Sequence, residues 1–173
     1  MDMQLYFLRS SESKIVLDML PFAYGLDELN KSIEDIAELK IYSDFYGLTP
    51  KDLGLYALVD NTIAGAIWSR ELAGNIPELN MAVLPAFRNQ GIGSAMMEQF
   101  LQEAGVQYDA LSIYPVKDSK VVKFYEKYGF ETQESSQRNS YIDDSQLVKM
   151  IKKLQTKEIV RPSDNYDASY WMD

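Results

Sequence analysis

Two hydrophobic periods alternate along the chain, and their order predicts the elements. Met3–Leu8 is apolar and β-prone and reads as a first strand. Ser10 or Ser11 can cap a helix whose apolar face is Ile15, Met19 and Leu20, and Pro21 with Gly25 is expected to break it. A second amphipathic helix follows, with Leu29, Ile33, Ile36 and Ala37 inward and Asp27, Glu28, Glu34, Asp35 and Glu38 outward. Tyr42, Phe45 and Tyr46 make an aromatic turn before Gly47 and Pro50. Leu55–Val59 and Thr62–Trp68 are strand-like, and Asp60-Asn61 between them suits a tight hairpin. A further strand, Glu78–Leu84, stops at Pro85, which has no N–H for a ladder. Gly93, Met96, Met97, Phe100, Leu101 and Ala104 recur at helical spacing. Asp109–Tyr114 is a strand. Val121, Phe124, Tyr125 and Tyr128 share one face of a short helix ending at Gly129. Phe130 starts the next strand, polar Gln133–Asp144 is a loop, and Leu147–Ile151 suits a last strand. The order is that of an α/β (α+β) chain with one sheet.

Between the Glu78–Leu84 strand and the helix after it lies Arg88-Asn89-Gln90-Gly91-Ile92-Gly93-Ser94. At a helix start the first N–H groups lack intrahelical partners and the dipole is positive. Two glycines flanking one residue let a bulky anion approach the backbone. The stretch is an anion cradle, and a diphosphate is its natural occupant. The common phosphate loops fit poorly. A Walker loop needs Lys-Ser or Lys-Thr after its last glycine, where this chain has Ser94-Ala95, and a dinucleotide fingerprint needs a third glycine where this chain has Met96.

Composition narrows the chemistry. The chain has 173 residues, enough for one domain with a real core. With no cysteine it has no disulfide framework and no thiol nucleophile, and with no histidine it has no imidazole base and no ordinary zinc site. Proton transfer near neutrality falls to carboxylate, tyrosine, lysine or water. A net charge of −9 disfavours nucleic acid and favours cationic small molecules or basic peptides. The N-terminus is interrupted by Arg9, Glu12 and Lys14, so neither a signal peptide nor a membrane span is expected, and the cytoplasm is the expected compartment.

The cradle matches the pattern Arg/Gln-x-x-Gly-x-Gly/Ala, and with its strand, Val83, Pro85 and the following helix it resembles motif A of the GCN5-related N-acetyltransferases (GNAT). Phe124-Tyr125-Glu126-Lys127-Tyr128-Gly129-Phe130 resembles motif B of the same family, at the expected separation. The resemblance implies the GNAT fold over residues 1–154: a central mixed, mostly antiparallel sheet, splayed between its fourth and fifth strands and flanked by about four helices. It implies acetyl-CoA as co-substrate, no metal, and pyrophosphate contacts from Arg88, Asn89, Gln90, Gly91, Ile92, Gly93 and Ser94. It also implies a backbone N–H near Val83 for the thioester carbonyl, and cofactor contacts from Phe124 and from position 118. The family usually has asparagine at that position, and Asp118 can accept a hydrogen bond there but not donate one. Tyr125 aligns with a tyrosine that protonates the leaving thiolate; an ordinary phenol pKa of about 10 suits that transfer. Glu78 is the base candidate, although a slip of one residue would turn it to the other sheet face and a solvated strand-start glutamate is an equal reading. Lys117, Lys120, Lys123 and Lys127 read as a solvated helix face, with the 3′-phosphate of CoA as the other reading.

These implications lead to an N-acetyltransferase that moves the acetyl group of acetyl-CoA to a primary amine of a small molecule or peptide in a ternary complex. The alternative is a non-catalytic acyl-CoA-binding or regulatory module of the same fold. Residues 1–60 carry eleven acidic and five basic residues, which tilts the acceptor towards a cationic amine. No nucleic-acid or membrane partner is expected. Residues 155–173 form a tail rich in aromatics (Tyr166, Tyr170, Trp171), suited to docking on the domain or on a second copy in a homodimer, or left loose.

Overall fold

The computed structural model of the chain describes residues 2–23, 52–70, 76–115, 117, 119–133 and 148–154. Seven strands form one sheet: β1 (Met3–Phe7), β2 (Leu53–Val59), β3 (Thr62–Arg70), β4 (Glu78–Val83), β5 (Ala110–Ile113), β6 (Glu131–Thr132) and β7 (Met150–Lys153). Their spatial order is β1-β2-β3-β4-β5-β7-β6. The first four pair antiparallel in sequence order; short connections leave β3 beside β2 and β4 beside β3, while residues 8–52, including α1, lie between β1 and β2. At the β2–β3 turn Asp60 and Asn61 take φ of 48° and 66°. This left-handed pair gives the turn twist that a two-residue hairpin needs.

Helices cover both faces. The apolar stripe of α2 (Ile92–Gln107) buries Ile92, Met96, Met97, Phe100 and Ala104 against Leu55, Ile67, Leu79 and Leu111, and Tyr125 of α3 (Lys120–Lys127) joins the same core. On the opposite face α1 (Ser13–Ala23) packs Val16, Met19 and Leu20 against Ala66, Trp68 and Ala82. Trp68 and Phe100 are fully buried and carry much of the apolar area of the two layers.

The parallel contact of β4 with β5 consists of one residue pair, Glu78 with Ser112. Ser112 fixes it twice, its N–H donating to the Pro77 carbonyl at 2.9 Å and its hydroxyl to the same oxygen at 3.1 Å. From there β5 stays with β7. Their ladder runs from Ala110↔Lys153 to Ile113↔Met150, and it is extended at both ends by Leu154 N–H to Asp109 O (2.8 Å) and Val148 N–H to Pro115 O (2.9 Å). The rest of β4 diverges from β5, which is the splay expected between the fourth and fifth strands.

Three details differ from expectation. Pro21 does not break α1, which continues to Ala23 with the proline inside it; only the i−4 hydrogen bond is forgone. Val121 does not share the inward face of α3 and is 46% exposed. The last strand begins at Met150, later than Leu147. Three α-helices stand among the described residues; the expected second helix (29–37), the aromatic turn at 42–46, most of the 133–144 loop and the 155–173 tail lie outside them.

Gly65 of β3 lies tight against β4: a Cβ there would sit 2.5 Å from the Ala82 carbonyl oxygen, a backbone atom that cannot swing away. Gly65→Ala is therefore expected to cost about 1–3 kcal/mol, read as a lower denaturant midpoint at unchanged slope. Gly93→Ala, whose Cβ would meet Met81 Cε at an ordinary 3.6 Å, is the control and should leave the midpoint within experimental error.

Candidate active site

The diverging edge of β4 is the first part of the site. Leu84 N–H donates to Ala64 O of the neighbouring β3 at 2.8 Å. Because antiparallel ladders alternate, the N–H groups of Val83 and Met81 point the other way, into the gap opposite β5. The Val83 carbonyl faces the same side and accepts the Arg88 Nε–H at 3.1 Å, which holds the guanidinium beside the strand end. The sequence reading named Val83 as the donor position. Met81 was missed, since only the register of β3 on β4 shows which N–H groups are free of the ladder.

The second part is the start of α2. A single 3-10 turn, Pro85–Phe87, leads out of β4, and the backbone then takes left-handed conformations at Asn89 (φ 63°) and Gly91 (φ 80°). The first α-helical hydrogen bond is Ala95 N–H to Gly91 O at 3.1 Å. The N–H groups of Ile92, Gly93 and Ser94 come before it, with no side chain capping them and no acidic residue in the first turn. The glycines differ in purpose. Gly91 carries the positive φ, and a Cβ on it would meet nothing within 4 Å, so the space in front of it is open. Gly93 lets the helix start lie on Met81 and Val83, joining the cradle to the edge of β4. Asn89 and Gln90 are exposed, Ser94 is half-buried and the Ile92 side chain is in the core. These positions, with Arg88, fit a diphosphate: oriented backbone donors, a cation at their edge, and room for a group of that size.

The third part is α3. Tyr125 is 3% exposed and stacks edge-on with Phe124 (centroids 5.4 Å) and Phe130 (5.6 Å). Its carbonyl accepts Tyr128 N–H at 3.0 Å and Phe130 N–H at 3.1 Å, closing the helix before Gly129 at φ 92°. Burial pushes the phenol pKa well above its ordinary value. Phe124 is half-buried against the core. Asp118 lies outside the described residues, and Lys117, Lys120, Lys123 and Lys127 are exposed.

The fourth part lies on the α1 face. Glu78 is 8% exposed, so it is not a solvated strand-start residue. It stands opposite Arg70 across the β3–β4 ladder, and Arg70 in turn holds a buried ion pair with Asp52, Nε to Oδ2 at 3.2 Å. Asn80, two residues along the same face of β4, is 7% exposed and pairs across the ladder with Trp68. No sequence motif pointed to Asn80, Trp68, Arg70 or Asp52, which only strand register brings together. Among the described residues no group of three or more Asp, Glu, His or Cys side chains stands close enough to hold a metal, and no helix is long and apolar enough to cross a membrane.

Residues 51–132 match the sequence model of the acetyltransferase (GNAT) domain, a span that holds the splayed strands, the cradle and α3. The chain carries a GNAT domain. Solved structures agree on the fold. A GNAT-family acetyltransferase from Staphylococcus aureus Mu50 superposes with a TM-score of 0.67 at 18% identity, covering 89% of this chain and 100% of its own. The ribosomal-protein-S18-alanine N-acetyltransferase of Escherichia coli gives 0.64 at 16%, covering 92% and 99%. The PaiA N-acetyltransferase of Thermoplasma acidophilum, solved with coenzyme A, gives 0.60 at 20%, covering 88% and 99%. A comparison with curated protein sequences finds no match.

The upward shift of Tyr125 has a consequence for the stability of the GNAT domain. Its proton is bound more tightly in the folded state than in the unfolded one, so the contribution is complete below the unfolded phenol pKa of about 10 and is lost as pH rises above it. Unfolding free energy should therefore fall between roughly pH 10 and 11.5, with a smaller fall in Tyr125→Phe. Denaturant titrations of both proteins across that range check it; equal slopes would contradict the shift.

Proposed function

We propose that the protein is an acetyl-CoA-dependent N-acetyltransferase acting on a primary amine by direct attack in a ternary complex. One observation carries the reading. Beyond Glu78–Ser112, β4 has an open edge, with cradle and phenol on one sheet face and a buried carboxylate on the other. A gap of this kind gives two reactants separate approaches to one point.

Backbone donors of Asn89 through Ser94, with Arg88 beside them, hold the pyrophosphate, and Phe124 and position 118 line the path of the pantetheine arm. Bound acetyl-CoA supplies an acetyl group activated as a thioester. The N–H groups of Met81 and Val83 meet the thioester carbonyl as fixed donors that need no titration and little reorganisation. Tyr125 donates its phenolic proton to the sulfur. A raised phenol is a weaker acid, but a thiolate leaving into the same water-poor gap is raised in the same direction, so the transfer stays near balance. Glu78 accepts the proton of the attacking amine. The coarse part of this reading, acetyl transfer, follows from the domain; the residue roles rest on the geometry above.

The direct test is release of free CoA from acetyl-CoA in the presence of a panel of amines. Acetyl-CoA binding without amine-dependent release would instead favour the non-catalytic acyl-CoA-binding module. Tyr125→Phe keeps the ring packing and removes only the hydroxyl, and turnover should fall by roughly 10²–10⁴ with cofactor affinity nearly unchanged. Near-normal turnover would remove Tyr125 as the acid. Gly91→Val should abolish acetyl-CoA binding by calorimetry while the protein remains folded, because a β-branched residue does not hold φ 80° and its side chain enters the open space in front of the cradle.

A further inference from the structure

Two buried donor nitrogens on the α1 face have no acceptor among the described residues. Trp68 Nε1 and Asn80 Nδ2 are shielded from solvent and make no hydrogen bond among the described residues, and the two residues sit directly opposite one another on β3 and β4. Directly opposed residues in an antiparallel ladder point to the same face with adjacent Cβ atoms. Both atoms are donors, so neither satisfies the other. Leaving one such group unpaired is costly, and leaving two on facing residues of one ladder marks a place that an oxygen atom fills.

The position supplies the meaning. Asn80 lies just past the last contact of β4 with β5, and Glu78 precedes it by two residues on the same face. Along a strand these side chains start about 7 Å apart. An amine and a carbonyl group separated by one carbon span that interval with one hydrogen bond at each end. Both donors are neutral, and the nearby cation, Arg70, already pairs with Asp52. A carboxylate would enter this dry spot without a counter-charge of its own, whereas a neutral carbonyl would not.

We infer that Trp68 and Asn80 form a carbonyl-recognition site, so that the acceptor is an α-amino carbonyl compound: a peptide N-terminus or an amino-acid amide. The inference rests on the N-acetyltransferase reading and names its substrate class. It narrows the cationic amines suggested by overall charge, because a polyamine has no oxygen to offer these donors.

Initial rates with leucinamide, 3-methylbutylamine (the same side chain without the carbonyl) and free leucine test it. The readout is the ratio of kcat/KM for leucinamide to that for 3-methylbutylamine, compared between wild type and variants so that the intrinsic difference between the amines cancels. Asn80→Leu and Trp68→Phe should each lower the ratio at least tenfold, and wild type should prefer leucinamide to leucine. A ratio that stays within twofold in both variants, or a preference for leucine, overturns the site. If none of the amines releases CoA, the N-acetyltransferase reading fails and this inference with it. A measurement on intact side chains removes dependence on how well the variants fold. The chain has two tryptophans, and Trp171→Phe assigns their indole resonances. With CoA present, saturating leucinamide should move the Trp68 indole N–H proton downfield and 3-methylbutylamine should not. An unmoved resonance overturns the proposal.

Discussion

One hydrogen-bonded bridge governs the geometry of this molecule. Ser112 ties β5 to the Pro77 carbonyl through both its N–H and its hydroxyl, and no further residue of β5 pairs with β4. A parallel pair with six residues on one side would normally close its ladder, since unpaired backbone groups inside a sheet are costly. Here β5 spends its pairing capacity on β7 over its whole length and beyond both ends. The ladder of β4 on β3 then determines what the free edge presents. Met81 and Val83 show their N–H groups to the gap, and the Val83 carbonyl takes Arg88. Shifting either ladder by one residue would exchange these groups for the alternate set and turn every side chain of β4 over.

The two sheet faces then differ in chemistry. On the α2 face β4 turns its free backbone donors to the gap, and the core on that face holds a phenol kept protonated by its apolar surroundings. On the α1 face β4 carries the buried side chains Glu78 and Asn80, with Arg70 and Trp68 of β3 across the ladder from them. Binding through backbone groups constrains the chain's conformation more than its residue identity. That is why the cradle needs a left-handed residue at Gly91 while Asn89 and Gln90 remain exposed. Recognition through side chains is the reverse and depends on which residues the register makes neighbours.

That difference explains what was legible in the sequence. Strand and helix periods, the Asp60-Asn61 turn and the glycine-rich start of α2 are local, written within spans of a few residues, and among the described residues the structure has them close to where they were read, Pro21, Val121 and the start of β7 apart. Pro21 misled because a proline in the last turn costs a single hydrogen bond, which packing of Val16, Met19 and Leu20 outweighs. Val121 misled because the short α3 has room for only a narrow inward stripe, filled by Tyr125 and its aromatic neighbours. Glu78 could be read as buried or solvated, since its surroundings come from Arg70 and Ser112, 8 residues before it and 34 after. Met81, Asn80 and Trp68 left no local signature at all. Their significance lies in which groups the ladders leave unpaired, and that is a property of the whole sheet.

Proton management joins these observations. The chain has no histidine, Tyr125 holds its proton through the neutral range, and the carboxylate at the gap stands opposite an arginine. None of these groups is an ordinary base for an alkyl ammonium, whose pKa is about 10.4. A carbonyl one carbon away lowers an amine to about 7.7–8.0. The neutral fraction near pH 7 is then larger by a few hundredfold. A protein that selects that carbonyl with Trp68 and Asn80 also selects an amine that gives up its proton with little help. Glu78 then needs only to receive a weakly held proton, and water can carry it away. Under the proposed reading, recognition on β3 and β4 offsets the missing imidazole, and the two donors proposed to define the acceptor relax the demand on the base.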